Sequence, residues 1–514
     1  MNTYEQAPPA QAKADLTSVL YDSTVTHDVS EEFTLPDYVP EVRKVLFTRA
    51  QILPESKYIS DFQGGANLDF GGTVTYSVIY TDDEGKLCST PLSSSYEAST
   101  TLKATPSTVF IDTFPDNVTT RVNAPRKLTI KSRLKSRVLA LEDKVYEERI
   151  AQKSSADELF IERKHQNVKT VCVTASSLSN VKMSDKFDIG AKRSLRPVLC
   201  DAFAYVKDVT ASNDSVAVRA EACVKCLCES EGELFCATRL LPIYEQIEAE
   251  GCCVNDLARA HVRCVSLSIS SEENEGDCQL FFDLTCDMEC EVYRNEENSL
   301  TSDIYSTKNE MDTEYKCIDI YSLAHVSGAQ MTVNESVKRK SKDASQIVSV
   351  LAEAVYEKFE IKGHKASVFG RLCTNVIAAS APESASSEYI YESYELPIKY
   401  DCVLDAECEN PLIRASFSTS DVSAKYIDDK LHINAEIYPS VCIIDKKSTK
   451  ILDSATLKKD KEFTRDASQV RVYFPKENDT LWSIAKKYHI TSKQLLEQNM
   501  LSDEDLSEVK CLII

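Results

Sequence analysis

Glycine is scarce in this chain, with 12 in 514 residues, and tryptophan occurs once. So few glycines exclude a collagen-like repeat. No glycine-rich phosphate loop, no Gly-x-Ser-x-Gly and no His-Glu-x-x-His helix occurs, and the seven histidines stand in no catalytic pattern. Adjacent acids such as Asp82-Asp83 and Asp428-Asp429 read as solvated turn charge. No enzyme and no cofactor is expected. Basic residues are outnumbered, 59 Lys and Arg against 81 Asp and Glu, which leaves a formal net charge of −22. That balance argues against a nucleic-acid binder, which needs a basic face, and against adsorption to an anionic membrane. Apolar runs of bilayer-spanning length are absent. The opening Met1-Asn2-Thr3-Tyr4-Glu5-Gln6-Ala7-Pro8-Pro9 has neither a basic flank nor an apolar stretch, so no signal peptide is expected and the expected compartment is the cytoplasm.

Cysteine, by contrast, is plentiful: there are 19. An odd count at irregular spacing does not read as a disulfide framework. Packed, reduced thiols are the simpler reading. They concentrate in Cys223, Cys226, Cys228, Cys236, Cys252, Cys253, Cys264, Cys278, Cys286 and Cys290. Cys223-x-x-Cys226 has a zinc-ligand spacing. It lies inside an alternating strand pattern, however, which points its two ends to opposite faces. Buried thiols are favoured and no metal is expected.

The 43% hydrophobic and 27% charged composition is globular, and the length calls for several domains. Alternating runs from Val74 to Tyr80 and from Ala220 to Cys228 each run into a Gly-containing turn, Asp82-Asp83-Glu84-Gly85 and Glu229-Ser230-Glu231-Gly232. Both read as β-hairpins. Pro91, Pro242 and Pro397 follow one another at intervals of roughly 150 residues, a typical domain length. Ahead of each lies an apolar stretch: Val45-Leu46-Phe47, Val198-Leu199-Cys200 and Val350-Leu351-Ala352. Short strands such as Thr73–Val78, Gln279–Val292 and Leu431–Tyr438 fill these copies. Turn-rich stretches such as Ser93–Thr100 and Ala378–Ser387 separate them, while 142–152 and 341–358 read as helices. The expected fold is mainly β, with three repeated β-sandwich or open-barrel-like units at 30–145, 146–310 and 311–446. A tail (1–29) precedes them. A hinge-like linker (447–469) and a small α+β domain (470–514) follow.

That last domain has its own pattern. Leu481, Ile484, Ala485 and Tyr488 make one apolar stripe on a helix, with Asp479 placed to cap it. Thr491-Ser492-Lys493-Gln494 has capping-box spacing for a second helix. Val470–Phe474 and Val509–Ile514 read as flanking strands, giving βααβ. The run Asn478-Asp479-Thr480-Leu481-Trp482-Ser483-Ile484-Ala485-Lys486-Lys487-Tyr488 resembles the LysM signature, and Gln494–Leu501 resembles that family's second helix and following loop. The resemblance implies a glycan groove formed by Asp479, Thr480 and Leu481 with Asn499, Met500, Leu501 and Ser502. Asn478 stands at the family's Gly, Pro475 at its strand-one Val, and Glu508-Val509 at its Pro-Gly turn. Trp482 and Tyr473 are candidate anchors for a protein partner, because aromatics dominate interfaces.

Leu35-Pro36-Asp37-Tyr38-Val39-Pro40-Glu41-Val42-Arg43-Lys44-Val45-Leu46 resembles the entry motif of the SPOCS repeat family, known from spore-coat proteins of endospore-forming Firmicutes. Arg126–Val138 also fits that family. SPOCS-like repeats followed by LysM are similar to a clostridial coat-morphogenesis family whose LysM module binds the coat-basement ATPase. The resemblance implies a non-enzymatic scaffold at the forespore surface whose terminal module recruits a spore-coat morphogenetic ATPase. The alternative is a peptidoglycan-binding protein anchored to N-acetylglucosamine polymer. Within Arg126–Val138, Leu128, Ile130, Leu134 and Val138 share one apolar face. Lys131, Arg133, Lys135 and Arg137 share the other, a basic face able to dock an acidic partner or simply solvated.

Overall fold

A computed structural model describes residues 13–147, 149–151, 160–190, 194–274, 277–380, 388–464, 471–501, 503, 505–506 and 509–514. Most described residues ahead of 464 lie in strands, as their β-branched and aromatic content favours. Strands β1 (Lys13–Thr34), β2 (Lys44–Phe62), β3 (Gly65–Thr81), β4 (Leu87–Leu102), β5 (Thr108–Ala124) and β6 (Lys127–Glu147) form antiparallel sheets ordered β1-β6-β5 and β2-β3-β4. Val74, Tyr76 and Val78 of β3 meet Leu128, Ile130 and Leu134 of β6 in one apolar cluster. After the short β7 (Arg149–Ala151) come β8 (Ile161–Lys186), β9 (Arg196–Ser212), β10 (Ser215–Ser230), β11 (Glu233–Glu248), β12 (Leu257–Asn274) and β13 (Asp277–Ser306), ordered β12-β13-β8 and β9-β10-β11. These two sheets also share a core, from Val216 and Val218 to Phe282 and Leu284.

The remaining long strands are β14 (Asn309–Ser327), β15 (Met331–Lys338), β16 (Ala344–Lys362), β17 (Lys365–Ser380), β18 (Tyr389–Val403), β19 (Pro411–Ile427) and β20 (Lys430–Glu462). They give the sheet β16-β17-β18 and a larger one in which β20 pairs with β14 and β15 along one edge and with β19 along the other. β7 joins β20 in parallel, Ile150 beside Ala455.

Both expected hairpins form. Gly85 N–H donates to the Asp82 carbonyl at 3.0 Å, and Glu231 and Gly232 turn β10 into β11 with φ of 52° and 85°, as a two-residue turn of this hand requires. Pro91, Pro242 and Pro397 lie opposite Ser77, Glu221 and Arg371 on β4, β11 and β18. All three are edge strands of their sheets, where a residue without an N–H breaks no ladder. The three apolar stretches converge: Leu46, Phe47, Val198, Leu199 and Leu351 pack together with Ile79, Leu87, Leu227 and Ile377. Beside them Arg49 pairs with Asp201, and burial pushes the Glu353 carboxyl up. The Pro36–Pro40 arm is held as the two prolines suggest: Arg126 donates to the Pro36 and Val39 carbonyls at 2.9 and 3.0 Å.

Several expectations need correction. Ser93–Thr100 does not separate strands but lies within β4, and the strands expected to be short run to 17, 30 and 33 residues in β3, β13 and β20. Residues 142–147 and 149–151 are strand, and 344–358 belong to β16. The helical spacing of apolar residues in β16 comes from register shifts between Ala344 and Gln346, Ile347 and Ser349, and Tyr356 and Lys358. Each shift inserts a residue and breaks the period-2 signal. Residues 13–29 are not a tail: they pair with β6 along its length. Residues 447–462 are not a hinge: they extend β20 against β14. Residues 465–469 of that linker, and 381–387 of the turn-rich Ala378–Ser387, lie outside the described residues.

Candidate functional site

β21 (Val472–Tyr473) and β22 (Leu512–Ile513) pair antiparallel, with helices α1 (Leu481–Tyr488) and α2 (Ser492–Asn499) between them in sequence. Leu481, Ile484, Ala485, Ile490, Leu495 and Leu512 form the core. α2 starts with the expected capping box. Thr491 Oγ1 accepts from Gln494 N–H at 2.9 Å, and Gln494 Oε1 accepts from Thr491 N–H at 3.2 Å.

α1 starts differently from expectation. Its cap is Thr480, whose Oγ1 accepts from Ser483 N–H at 3.1 Å. Asp479 serves the preceding turn, where its Oδ2 accepts from Lys476 N–H at 2.8 Å and from the Tyr473 hydroxyl at 2.7 Å. Those two donors hold the Asp479 carboxyl below its ordinary range. Tyr473 is thereby tied into the module, its ring edge-on to Tyr488.

At the far end of α2, Asn499 donates to the carbonyls of Leu495 and Ile513 at 2.9 and 2.8 Å and accepts from Ile513 N–H at 2.6 Å. Its side chain splices α2 to β22. Leu501 packs against the core. Met500 closes α2 in a left-handed conformation, φ 53°, and is 95% exposed. Of the groove residues, Thr480 and Met500 thus present side chains to solvent. Leu481 is core, and Asp479 and Asn499 hold the frame. Ser502 lies outside the described residues.

Trp482 faces elsewhere. Its Nε1–H donates to Asp303 Oδ2 at 2.8 Å, and Lys486 Nζ donates to Asp303 Oδ1 at 2.5 Å. Asp303 and Tyr305 come from the end of β13. The Tyr305 ring meets Trp482 edge-on at 4.9 Å, and its hydroxyl donates to the Ile490 carbonyl at 2.8 Å. Burial alone would raise the Asp303 carboxyl, but bonds from Lys486, Tyr315 and Trp482 outweigh it and hold the group below its ordinary range. Phe463, just past β20, stacks on His489. The module is therefore clamped on the β-rich body through α1. Asp303 and Tyr305 were not legible as site residues, because nothing near them in the sequence marks a contact made with a segment so far along the chain.

The basic residues of β6 do not form one free face. Arg133 pairs with Asp28 at 2.9 Å and Lys135 with Asp116 at 2.8 Å, both acids from the flanking strands. The Arg137 guanidinium lies 4.2 Å from the Tyr356 ring centroid and 5.1 Å from that of Phe114. Lys131 is exposed. The apolar face is as read: Leu128, Ile130, Leu134 and Val138 are all buried. Cys223 and Cys226, three positions apart on β10, project to opposite faces.

Residues 476–513 match the LysM domain family. LysM domains commonly bind peptidoglycan and other N-acetylglucosamine polymers. No curated protein and no solved structure matches the chain. Among the described residues, no helix is long and apolar enough to cross a membrane.

Proposed function

We propose that this chain is a non-enzymatic anchor, in which a β-rich body carries one LysM module that binds an N-acetylglucosamine polymer of the peptidoglycan type. The observation that carries the reading is the family match over residues 476–513 on a module whose Thr480 and Met500 stay exposed while Trp482 is docked. Glycan recognition, at the start of α1 and the end of α2, and attachment to the body, through Trp482 and Lys486, then use different parts of the module. The test is sedimentation of the full chain with purified peptidoglycan sacculi. Met500→Ala should weaken binding roughly five-fold, the loss of about 1 kcal/mol of apolar contact, without changing the fold. A chain that stays in the supernatant defeats the proposal.

The body fits a matching role. We infer that residues 13–462 comprise three copies of one two-sheet unit, six-stranded in the first two copies and with one added strand, β15, in the third. Support comes from the strand order, in which an outer pair encloses a three-stranded meander: β1 and β6 around β2-β3-β4, β8 and β13 around β9-β10-β11, and β14 and β20 around β16-β17-β18, with β15 as an extra strand on β20. Phe47, Leu199 and Leu351, and likewise Arg49, Asp201 and Glu353, recur at equal intervals and meet at the centre. Three units around a shared core make a rigid platform for a small head.

A second reading keeps this body and changes the ligand: a cytoplasmic spore-coat scaffold of the SPOCS type that recruits a coat morphogenetic ATPase. One observation favours it, since the Trp482 side of the module already recognises a protein surface, that of β13. Capture of such an ATPase from a sporulating lysate, with no binding to sacculi, would select this reading over the first.

A further inference from the structure

Strand register sets Cys200 of β9 directly opposite Cys226 of β10, and Cys264 of β12 opposite Cys286 of β13. Their sulfurs stand 3.3 and 3.8 Å apart. Cys228 places a third sulfur 3.4 Å from that of Cys226. Among the described residues, which include every cysteine, no disulfide is formed. Each cross-strand pair has one buried member, Cys226 or Cys286, and one half-buried member, Cys200 or Cys264. Both half-buried members line the same cavity of about 510 Å³, walled on its other side by Ile52, Leu53 and Pro91. A water molecule takes about 30 Å³ of liquid, so a small oxidant has room there.

We propose that Cys200 and Cys226 form a thiol–disulfide redox site, in which Cys200 meets hydrogen peroxide that enters this cavity. The Cys200 thiolate attacks one peroxide oxygen and the O–O bond breaks, leaving a sulfenic acid on Cys200 and a hydroxide that takes up the proton Cys200 released. The Cys226 sulfur, losing its proton, then displaces the sulfenic hydroxyl. The S–S bond forms, the S–O bond breaks, and the second water departs. Each sulfur is oxidised by one electron, and peroxide is reduced to two waters.

Geometry selects the partner. Residues directly opposite on antiparallel strands have Cα atoms about 4.5–5.5 Å apart, inside the roughly 4.4–6.8 Å range of disulfides. Cys226 and Cys228 are two steps along one extended strand, about 6.6 Å apart, at the limit of that range. Hydrogen bonding to the Cys200 and Cys228 thiols, reinforced by burial, pushes the Cys226 thiol far up. Cys226, buried and directly opposite Cys200, acts as the second, resolving thiol. Cys264 and Cys286 place a second dithiol on the same wall.

The experiment treats the reduced full chain with hydrogen peroxide, blocks remaining thiols with N-ethylmaleimide, and maps peptides without reduction. The expected product joins the Cys200 and Cys226 peptides, is lighter by two hydrogens, and reverts with a phosphine reductant. Cys228→Ser should retain the link. Cys226→Ser should leave a Cys200 sulfenic acid that dimedone traps. A Cys226–Cys228 link, or Cys200 and Cys226 recovered separately alkylated from the oxidised native chain, overturns the proposal. The wild-type map decides the matter even if a variant fails to fold.

Discussion

Asp303→Ala should loosen the terminal module from the body, and the single tryptophan reports it directly. Asp303 accepts one bond from the Trp482 indole at 2.8 Å and one from Lys486 at 2.5 Å. A hydrogen bond to a charged group contributes about 1.5–3 kcal/mol when buried. The Lys486 and Asp303 side chains are 37% and 25% exposed, so solvent screening discounts the ionic part. Together they stabilise docking by about 2–3 kcal/mol, a roughly 30- to 150-fold change in the docking equilibrium. The Tyr305–Trp482 edge contact survives the substitution, with about 1 kcal/mol, as does the Tyr305 bond to the Ile490 carbonyl. Docking is therefore weakened, not abolished. Because Trp482 is the only tryptophan, its emission should shift to the red and become more accessible to acrylamide, with secondary structure unchanged. Asp303→Asn should shift it less, since a neutral acceptor makes a weaker bond. The sign with pH follows from the lowered carboxyl of Asp303. Its stabilisation is present above the ordinary carboxylate pKa of about 3.9 and is lost as pH falls through the depressed value. Parent emission should thus hold steady from pH 7 to about 4 and redden below. Identical emission and quenching in Asp303→Ala and parent would refute the docked geometry.

Glu291 is buried between Arg414 and Arg259, at 2.6 and 3.3 Å. Burial would raise its carboxyl, but the two guanidinium groups hold it down to about 2. Glu291→Ala should therefore cost on the order of 3–5 kcal/mol by leaving two arginines buried without their anion, seen as a lower denaturant midpoint. Its own pH signature is stability lost as pH falls from the ordinary glutamate range toward about 2. Asn499→Ala removes the two bonds that splice α2 to β22 at Ile513 and one to the Leu495 carbonyl within α2, and should destabilise the module by about 1–3 kcal/mol. Hydrogen exchange at Ile513 N–H, which now bonds Asn499 Oδ1, should accelerate. Leu351→Ala opens a cavity at the cluster where β2, β9 and β16 meet, and should cost about 2–5 kcal/mol in thermal or denaturant unfolding.

Much of the terminal module was legible because its signals are local. A capping box spans four residues, and an apolar stripe repeats within two turns, so the Thr491–Gln494 box and the Leu481–Ala485 core face read correctly. The role of Asp479 did not. Thr480 is an equally good cap one step later, and only the position of the Tyr473 hydroxyl shows which one faces the helix. Strand character was legible where period 2 ran unbroken, as in Thr73–Val78 and Leu128–Val138, but not strand length: these stretches belong to β3 (Gly65–Thr81) and β6 (Lys127–Glu147). In β16, bulges imitated a helical period. β1 and the end of β20 are rich in polar residues and so looked like tail and linker, although each pairs with a long neighbour.

What the sequence alone determined is what depends on neighbours within a few residues: the β character and the hairpin turns, the βααβ module, and the in–out alternation of β6. Only the tertiary structure decided which surfaces remain available. It engaged Arg133, Lys135 and Arg137 of β6 with Asp28, Asp116 and the Tyr356 ring, and turned Trp482 inward to Asp303 while leaving Met500 in solvent. It also set Cys200 against Cys226. The physical reason is common to all three. Local periodicity says which side of an element a residue occupies, whereas its partner there comes from a strand or helix whose approach is fixed by register and packing over the whole chain.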